Sequence, residues 1–223
     1  MDWNRIIDSI FNGDIAGMPL LVKEAIAEKI SPKDILDKGL IAGMALVGKK
    51  FKANEIFIPE VLIAAKAMQA GLCILEPLLI ESGVESKGII AIGTVKGDLH
   101  DIGKNLVAMM FKGAGFTVID LGIDVSPDVF IQRAQKDKAS VLAMSSLLTT
   151  SLPSMKNTIE LLKSKGLDSK IKTIIGGAPV TQEYADEIGA DGYAPDASSA
   201  VDKAKELLCS LEKSSQKLKK GRL

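Results

Sequence analysis

The sequence is short of the groups that usually bind metals or build cross-links. It has one histidine, His100, and two cysteines, Cys73 and Cys209, far apart. That excludes a disulfide framework and a paired-cysteine metal motif. Aromatic residues are only 4 % of the 223-residue chain, so the core must rest on Leu, Ile, Val, Ala and Met. Charge of either sign is not in excess: 28 basic residues balance 28 acidic ones. A neutral chain gives no general reason to expect a nucleic acid or an anionic membrane as partner. No apolar run reaches the roughly 18 residues that a membrane span needs. The start, Met1-Asp2-Trp3-Asn4-Arg5, lacks the basic-then-apolar pattern of a signal peptide. A cytoplasmic protein is expected. The local exception to neutrality is Lys213, Lys217, Lys219, Lys220 and Arg222, read as a solvated, frayed tail over 213–223.

What is present falls into two halves of different period. Residues 1–84 read as helices only. Trp3–Phe11 is amphipathic and breaks at Asn12-Gly13; Asp14 can cap a second helix to about Lys29. Ser31-Pro32 is a start signal, with Ser capping the orphan N–H groups and Pro suited to the first turn. That helix runs to about Phe51, and Pro59 opens a last one through Leu79. Apolar residues recur at helical spacing, as at Ile35, Leu36, Leu40, Met44 and Val47. Four helices with short links predict a small four-helix bundle.

Ser82–Lys87 is small and polar, as a linker is. From residue 88 to 212 short apolar runs alternate with helical stretches. The strands are Ile89–Thr94, Phe116–Gly122, Val141–Ser146, Lys172–Ile175 and a weak Asp191–Ala194. The helices are Ile102–Gly113, Ser126–Lys136, Leu152–Lys165, Thr181–Ile188 and Ala197–Leu211. Five β-α units in a row predict an α/β domain, a five-stranded parallel, doubly wound sheet.

The lone histidine stands in Gly97-Asp98-Leu99-His100-Asp101-Ile102-Gly103, directly after the first strand. Open parallel sheets bind ligands beyond the carboxyl ends of their strands. Asp98, two residues earlier, can orient the ring and make its other nitrogen a better metal ligand. Gly103 allows the chain to turn close to a bulky group. A single histidine in a globular protein is often only structural, and position is what argues otherwise. Zinc wants three or four protein ligands, which the chain hardly offers. One histidine suffices if the metal arrives inside a macrocycle. Haem competes for that reading, although no haem-attachment motif is present.

At these residues the sequence resembles a known family. Asp98-Leu99-His100-Asp101-Ile102-Gly103 matches the D-x-H-x-x-G signature of cobalamin-binding domains. After 41 residues (104–144), Ser145-Ser146-Leu147 matches the family's S-x-L, and Gly176-Gly177 its later G-G. In the first half, Glu55-Ile56-Phe57-Ile58-Pro59-Glu60-Val61-Leu62 is similar to the helical cap of cobalamin-dependent methionine synthase and of small corrinoid proteins of methanogens and acetogens. Many relatives have Gly before the Glu of this motif; here it is Asn54, which also tolerates positive φ. The resemblance covers about residues 5–210.

It implies a helical cap (1–84) followed by a flavodoxin/Rossmann-like cobalamin-binding domain (88–212). It implies a corrinoid bound with its own lower base detached and His100 on cobalt in its place. The detached nucleotide tail would enter a slot walled by Ser145, Leu147, Thr149, Gly176 and Gly177. Glycines there leave room for a flat base, and the hydroxyls suit polar groups. A plain turn at Gly176-Gly177 and a capped helix start at Ser145–Ser151 are the bland alternatives. Ser151 aligns with the serine that completes a His–Asp–Ser relay, the catalytic pair of side chains behind His100 being Asp98 and Ser151. Phe57, as a core residue or as a contact to the corrin's upper face, belongs to the cap.

The function so implied is methyl carriage on cobalt between two partners. One is a substrate-specific methyltransferase, with methylated amines the favoured donors over methanol. The other is a methyltransferase acting on a thiol or pterin. A reductive reactivation protein is a third expected partner. The chain would then be a subunit of a methyltransferase system and not a complete enzyme. Two other readings stand beside it. A B12-responsive regulator shares cap and domain but normally adds an output domain, and a mutase subunit generally lacks the cap.

Overall fold

The structure, a computed structural model, describes residues 2–84 and 86–220, with side chains as far as residue 213. The chain divides into two compact units, Met1–Lys87 with Met109–Phe116, and Gly88–Ala108 with Thr117–Leu223.

The first unit is helical. It holds α1 (Trp3–Phe11), α2 (Met18–Ala27), α3 (Pro32–Asp34), a π-helical segment Ile35–Ile41, α4 (Ala42–Lys52) and α5 (Ile58–Glu81). From Pro32 to Lys52 the chain is one rod, as the periodicity predicts, but its middle winds in the wider π form. The start of α2 differs from expectation. Asp14 accepts the Gly17 N–H at 2.8 Å, one turn too early to cap the helix, and Gly17 takes the cap position. Pro19 in the first turn sets the start there. Ser31 caps as expected, accepting the Asp34 N–H at 3.1 Å. Asn54 adopts φ +57°, the left-handed conformation its side chain tolerates. Ile6, Ile10, Met18, Val22, Leu40, Met44, Val61 and Leu75 are buried. Helices approach closely where glycine faces a large side chain: a Cβ at Gly43 would lie 2.8 Å from Ile10 Cδ1.

Although the sequence leads one to expect no segment apolar enough to span a membrane, α5 is long and apolar enough by length and composition, the one such helix among the described residues. Its charged residues are too few to fail that test. Val61, Ala64, Ala67, Met68, Gly71, Leu75 and Leu79 are buried, the pattern of a bundle's central helix.

The second unit is a parallel sheet of β1 (Ile89–Thr94), β2 (Thr117–Asp120), β3 (Val141–Ser145), β4 (Lys172–Gly176) and β5 (Gly192–Tyr193). The strand order is β2-β1-β3-β4-β5. The helices between them are α6 (Ile102–Gly113), α7 (Pro127–Lys136), α8 (Leu152–Ser164) and α9 (Gln182–Ile188), with α10 (Ala197–Lys220) last. The edge strands β2 and β5 are shorter than the apolar runs suggest. At the other end, α10 continues past Leu211 to Lys220. For the tail read from the sequence, residues 221–223 and the side chains of 214–220 lie outside what is described.

The order 2-1-3-4-5 puts the switch point at β1. From β1 the chain steps outward to β2, then crosses back to β3. The carboxyl ends of β1 and β3 therefore open a crevice, the usual ligand position of such sheets. Thr94 and Ser145 are register partners there, and Ser145 pairs with Gly176 on β4. Beneath the crevice Phe130 of α7 is fully buried among Ala91, Val95, Leu142 and Ile175. Gly93 makes room for it, since a Cβ there would sit 3.0 Å from the Phe130 ring. Phe130→Ala is expected to cost about 3–5 kcal/mol, read from urea denaturation; a loss under about 1 kcal/mol would mean that this ring does not anchor the sheet.

Candidate functional site

The crevice is organised around a carboxylate. Asp98 follows β1 after a turn at Gly97, whose φ of +87° suits glycine. Its side chain is fully buried. Oδ2 accepts the N–H groups of Leu147 at 2.6 Å and Leu148 at 3.2 Å, in the loop after β3. Oδ1 accepts the His100 N–H at 3.0 Å and lies 2.7 Å from His100 Nδ1. Burial on its own pushes a carboxyl's pKa up. Here the N–H groups of Leu147 and His100, the His100 ring and the Leu148 N–H outweigh it and hold Asp98 well below the usual carboxylate range. An ionised Asp98 only accepts, so in the neutral ring the proton sits on Nδ1 and Nε2 is the nitrogen with a lone pair. The His100 ring is 53 % exposed. The geometry thus offers an oriented imidazole with its Nε2 free to ligate.

The loop that carries His100 is pinned at several points. The buried Thr94 hydroxyl donates to the His100 carbonyl at 2.8 Å. Asp124, at φ +52°, accepts the Gly97 N–H at 2.7 Å and donates its own N–H to the Asp98 carbonyl at 3.0 Å. On α6, the buried Lys104 ammonium reaches both carboxylate oxygens of Asp120 at 2.5 Å, tying the helix to the end of β2.

Ser151 donates to Asp98 Oδ2 at 3.3 Å, so the hydrogen-bonded series runs from His100 through Asp98 to Ser151. Ser145 ends β3, Leu147 is exposed in the loop beyond it, and Thr149 opens a 3-10 turn, Thr149–Ser151, leading into α8. Gly176 and Gly177 end β4 beside this loop. Packing alone demands glycine at both positions. A Cβ at Gly177 would fall 1.8 Å from the Ser146 carbonyl oxygen, and one at Gly176 2.8 Å from that of Ala194. The chain's own backbone takes the space. Gly103 is the opposite case: a Cβ there would meet no atom within 4 Å, so the fold makes no demand for glycine. Phe57 lies in the first unit, before α5, with 63 % of its surface exposed and its N–H donated to Glu60 at 3.0 Å.

Sequence reasoning missed three site residues: Ser146, Thr94 and Asp124. Ser146 was visible as the middle letter of a matched motif. Asp124 follows Gly122-Ile123 as a residue type that tolerates positive φ. Thr94 gave no signal, because its partner is a backbone carbonyl set by the turn.

A family model described as a B12 binding domain matches residues 88–202, and a second of the same description matches residues 3–76. The dimethylamine corrinoid protein of Methanosarcina barkeri is 48 % identical over 190 residues, 85 % of this chain and 89 % of that protein. The chain belongs to the B12-binding corrinoid proteins. A crystal structure of a cobalamin-binding protein from Desulfitobacterium hafniense DCB-2 superposes at a TM-score of 0.79 and 31 % identity, over 93 % of this chain and 98 % of that one. A chain of the methanol:cobalamin methyltransferase complex of M. barkeri gives 0.81 and 30 %, over 92 % and 78 %.

The residues of this corrinoid protein suit such a cofactor. Among the described residues no three His, Cys, Asp or Glu side chains gather as metal ligands. A metal at His100 must therefore bring its other ligands with it. The loops that meet at Asp98 also expose large apolar side chains, Leu99, Ile102, Ile123, Leu147 and Leu148, with Ile102 76 % exposed. Grouped exposed apolar residues mark a binding surface, and these can cover a broad, flat ligand.

Because the folded protein holds Asp98 well below the unfolded value of about 3.9, its stabilising effect is complete above that value and is lost as pH falls toward the folded one. Asp98→Asn is expected to cost about 2–3 kcal/mol at neutral pH. The gap to the unsubstituted protein should shrink by about 1.4 kcal/mol per pH unit below about pH 4. Urea midpoints from pH 3 to about 7 check this; a gap independent of pH would contradict it.

Proposed function

We propose that the chain is the methyl-carrying subunit of a corrinoid-dependent methyltransferase system serving methylated amines, with His100 Nε2 as the protein ligand to cobalt. The observation that carries this reading is the half-exposed imidazole whose Nδ1 is held by a buried, ionised carboxylate. When bound, the corrinoid supplies a cobalt centre that takes up and releases a methyl group.

The chain's own residues then have distinct tasks. Asp98 fixes the ring tautomer and raises the donor strength of Nε2. Ser151 stands behind Asp98, so a proton can be held between the hydroxyl, the carboxylate and Nδ1. His100 would hold the corrinoid in place of the cofactor's own lower base, the base-off form. Ser145, Leu147 and Thr149, next to Gly176 and Gly177, would hold its nucleotide tail. Gly103 would let the corrin edge approach α6. Phe57, exposed ahead of α5, would be an apolar contact to the corrin, as the resemblance of its motif implies.

The relatives support the rest. A dimethylamine corrinoid protein is 48 % identical, and a trimethylamine corrinoid protein 44 % over 190 residues. The structural neighbour in a methanol:cobalamin methyltransferase complex supports work with a methyltransferase partner. The chain would hand its methyl group to a second methyltransferase with a thiol or pterin acceptor, and a reductive protein would restore oxidised cofactor. Cytoplasmic work fits both. The regulator reading gains no observation in its favour.

Chain loaded with chemically reduced cobalamin should be methylated by a methyltransferase specific for mono-, di- or trimethylamine and its amine substrate, and not by one for methanol assayed beside it. Turnover with the methanol enzyme alone would overturn the amine assignment. His100→Ala should leave the apo-protein folded while changing the cobalt absorption spectrum and weakening cobalamin retention by about tenfold or more. An unchanged spectrum would remove His100 as the ligand.

A further inference from the structure

We propose that Ser146 is a positioning residue interchangeable with Ser151, so that the two serines act on Asp98 as one hydroxyl donor. This rests on the relay behind His100 described above and extends it by a residue that the S-x-L motif leaves unspecified.

Both side chains are buried. Their hydroxyl oxygens lie 2.6 Å apart, and either can be the donor. Their outward distances are nearly equal. Ser146 Oγ is 3.4 Å from Asp98 Oδ2 and 3.0 Å from the Leu148 carbonyl. Ser151 Oγ is 3.3 Å and 2.9 Å from the same two acceptors. Each hydroxyl has one proton and two lone pairs. Two buried oxygens 2.6 Å apart must share a proton, since otherwise lone pairs would face each other. That uses one of the two protons. If Ser146 donates to Ser151, the Ser151 proton is free for Asp98 or Leu148. If the bond runs the other way, the Ser146 proton is free for the same acceptors. The two arrangements differ little in geometry, and each leaves one hydroxyl proton for Asp98 Oδ2.

Loss of one serine therefore leaves the other to donate. Loss of both strips Oδ2 back to the amides of Leu147 and Leu148. The carboxylate then carries more charge toward Oδ1 and draws harder on the His100 Nδ1 proton. Cooperative hydrogen-bond series behave in this way.

The chain's single histidine makes the test direct. Ring-15N-labelled histidine gives one imidazole to follow by nuclear magnetic resonance at fixed pH in the full chain, without cofactor. Ser146→Ala and Ser151→Ala should each leave the Nδ1 proton resonance in place. The double variant should move it downfield. Ser146→Ala/Ser151→Thr, which keeps one hydroxyl, should return it. If Ser151→Ala alone moves the resonance downfield and Ser146→Ala leaves it in place, Ser151 is the sole donor and the proposal fails. That comparison needs only the single variants, so it stands even where the double does not fold. If the double folds and shifts nothing, the serines do not act on the ring and the proposal also fails. Retention of cobalamin by the unsubstituted chain on gel filtration is measured in parallel. Loss of retention would sink the functional reading while leaving the resonance data to decide on Ser146.

Discussion

The buried carboxylate of Asp98 is the constraint on which this site depends. A charged oxygen out of water is costly unless hydrogen bonds replace its hydration. Here the replacements come from two loops about fifty residues apart in the chain. The loop after β3 supplies the amides of Leu147 and Leu148, and the loop after β1 supplies His100. The interaction that keeps Asp98 ionised thereby fixes the shape of the crevice. It also sets the tautomer of the one histidine. A single residue joins fold, electrostatics and ligand geometry.

The sheet topology explains why these loops meet. The strand order reverses at β1, and the carboxyl ends of β1 and β3 are neighbours in register. Thr94 and Asp124 then hold the His100 loop from the β1 and β2 sides. A pre-formed loop spends little entropy on ordering when a ligand arrives. The apolar side chains around His100 remain at the surface, where a large flat ligand would bury them.

Much of this was legible in the sequence, for identifiable reasons. Parallel strands are buried on both faces and read as short apolar runs, so Ile89–Thr94 and Val141–Ser146 stood out. Ser31, Ser126 and Thr181 marked helix starts through local hydrogen bonds. Asp98 and His100 are two residues apart, so their pairing is also local. What escaped depends on the assembled fold. The π winding of Ile35–Ile41 has no signature in its periodicity. The start of α2 was misplaced because Asp14 bonds within its own turn. The shared position of Ser146 and Ser151 follows from how the loop after β3 folds back on Asp98. The demand for glycine at 177 comes from a carbonyl oxygen of Ser146, 31 positions earlier.

The most direct test of the central assignment is electron paramagnetic resonance of Co(II). Uniformly 15N-labelled protein is loaded with unlabelled cobalamin, freed of excess and reduced. A nitrogen splitting into a doublet is the expected result: a protein nitrogen then holds the cobalt, and the chain has one imidazole to give. A triplet would mean that the cofactor's own base stays on the metal, and His100 would lose its place at the centre of the account.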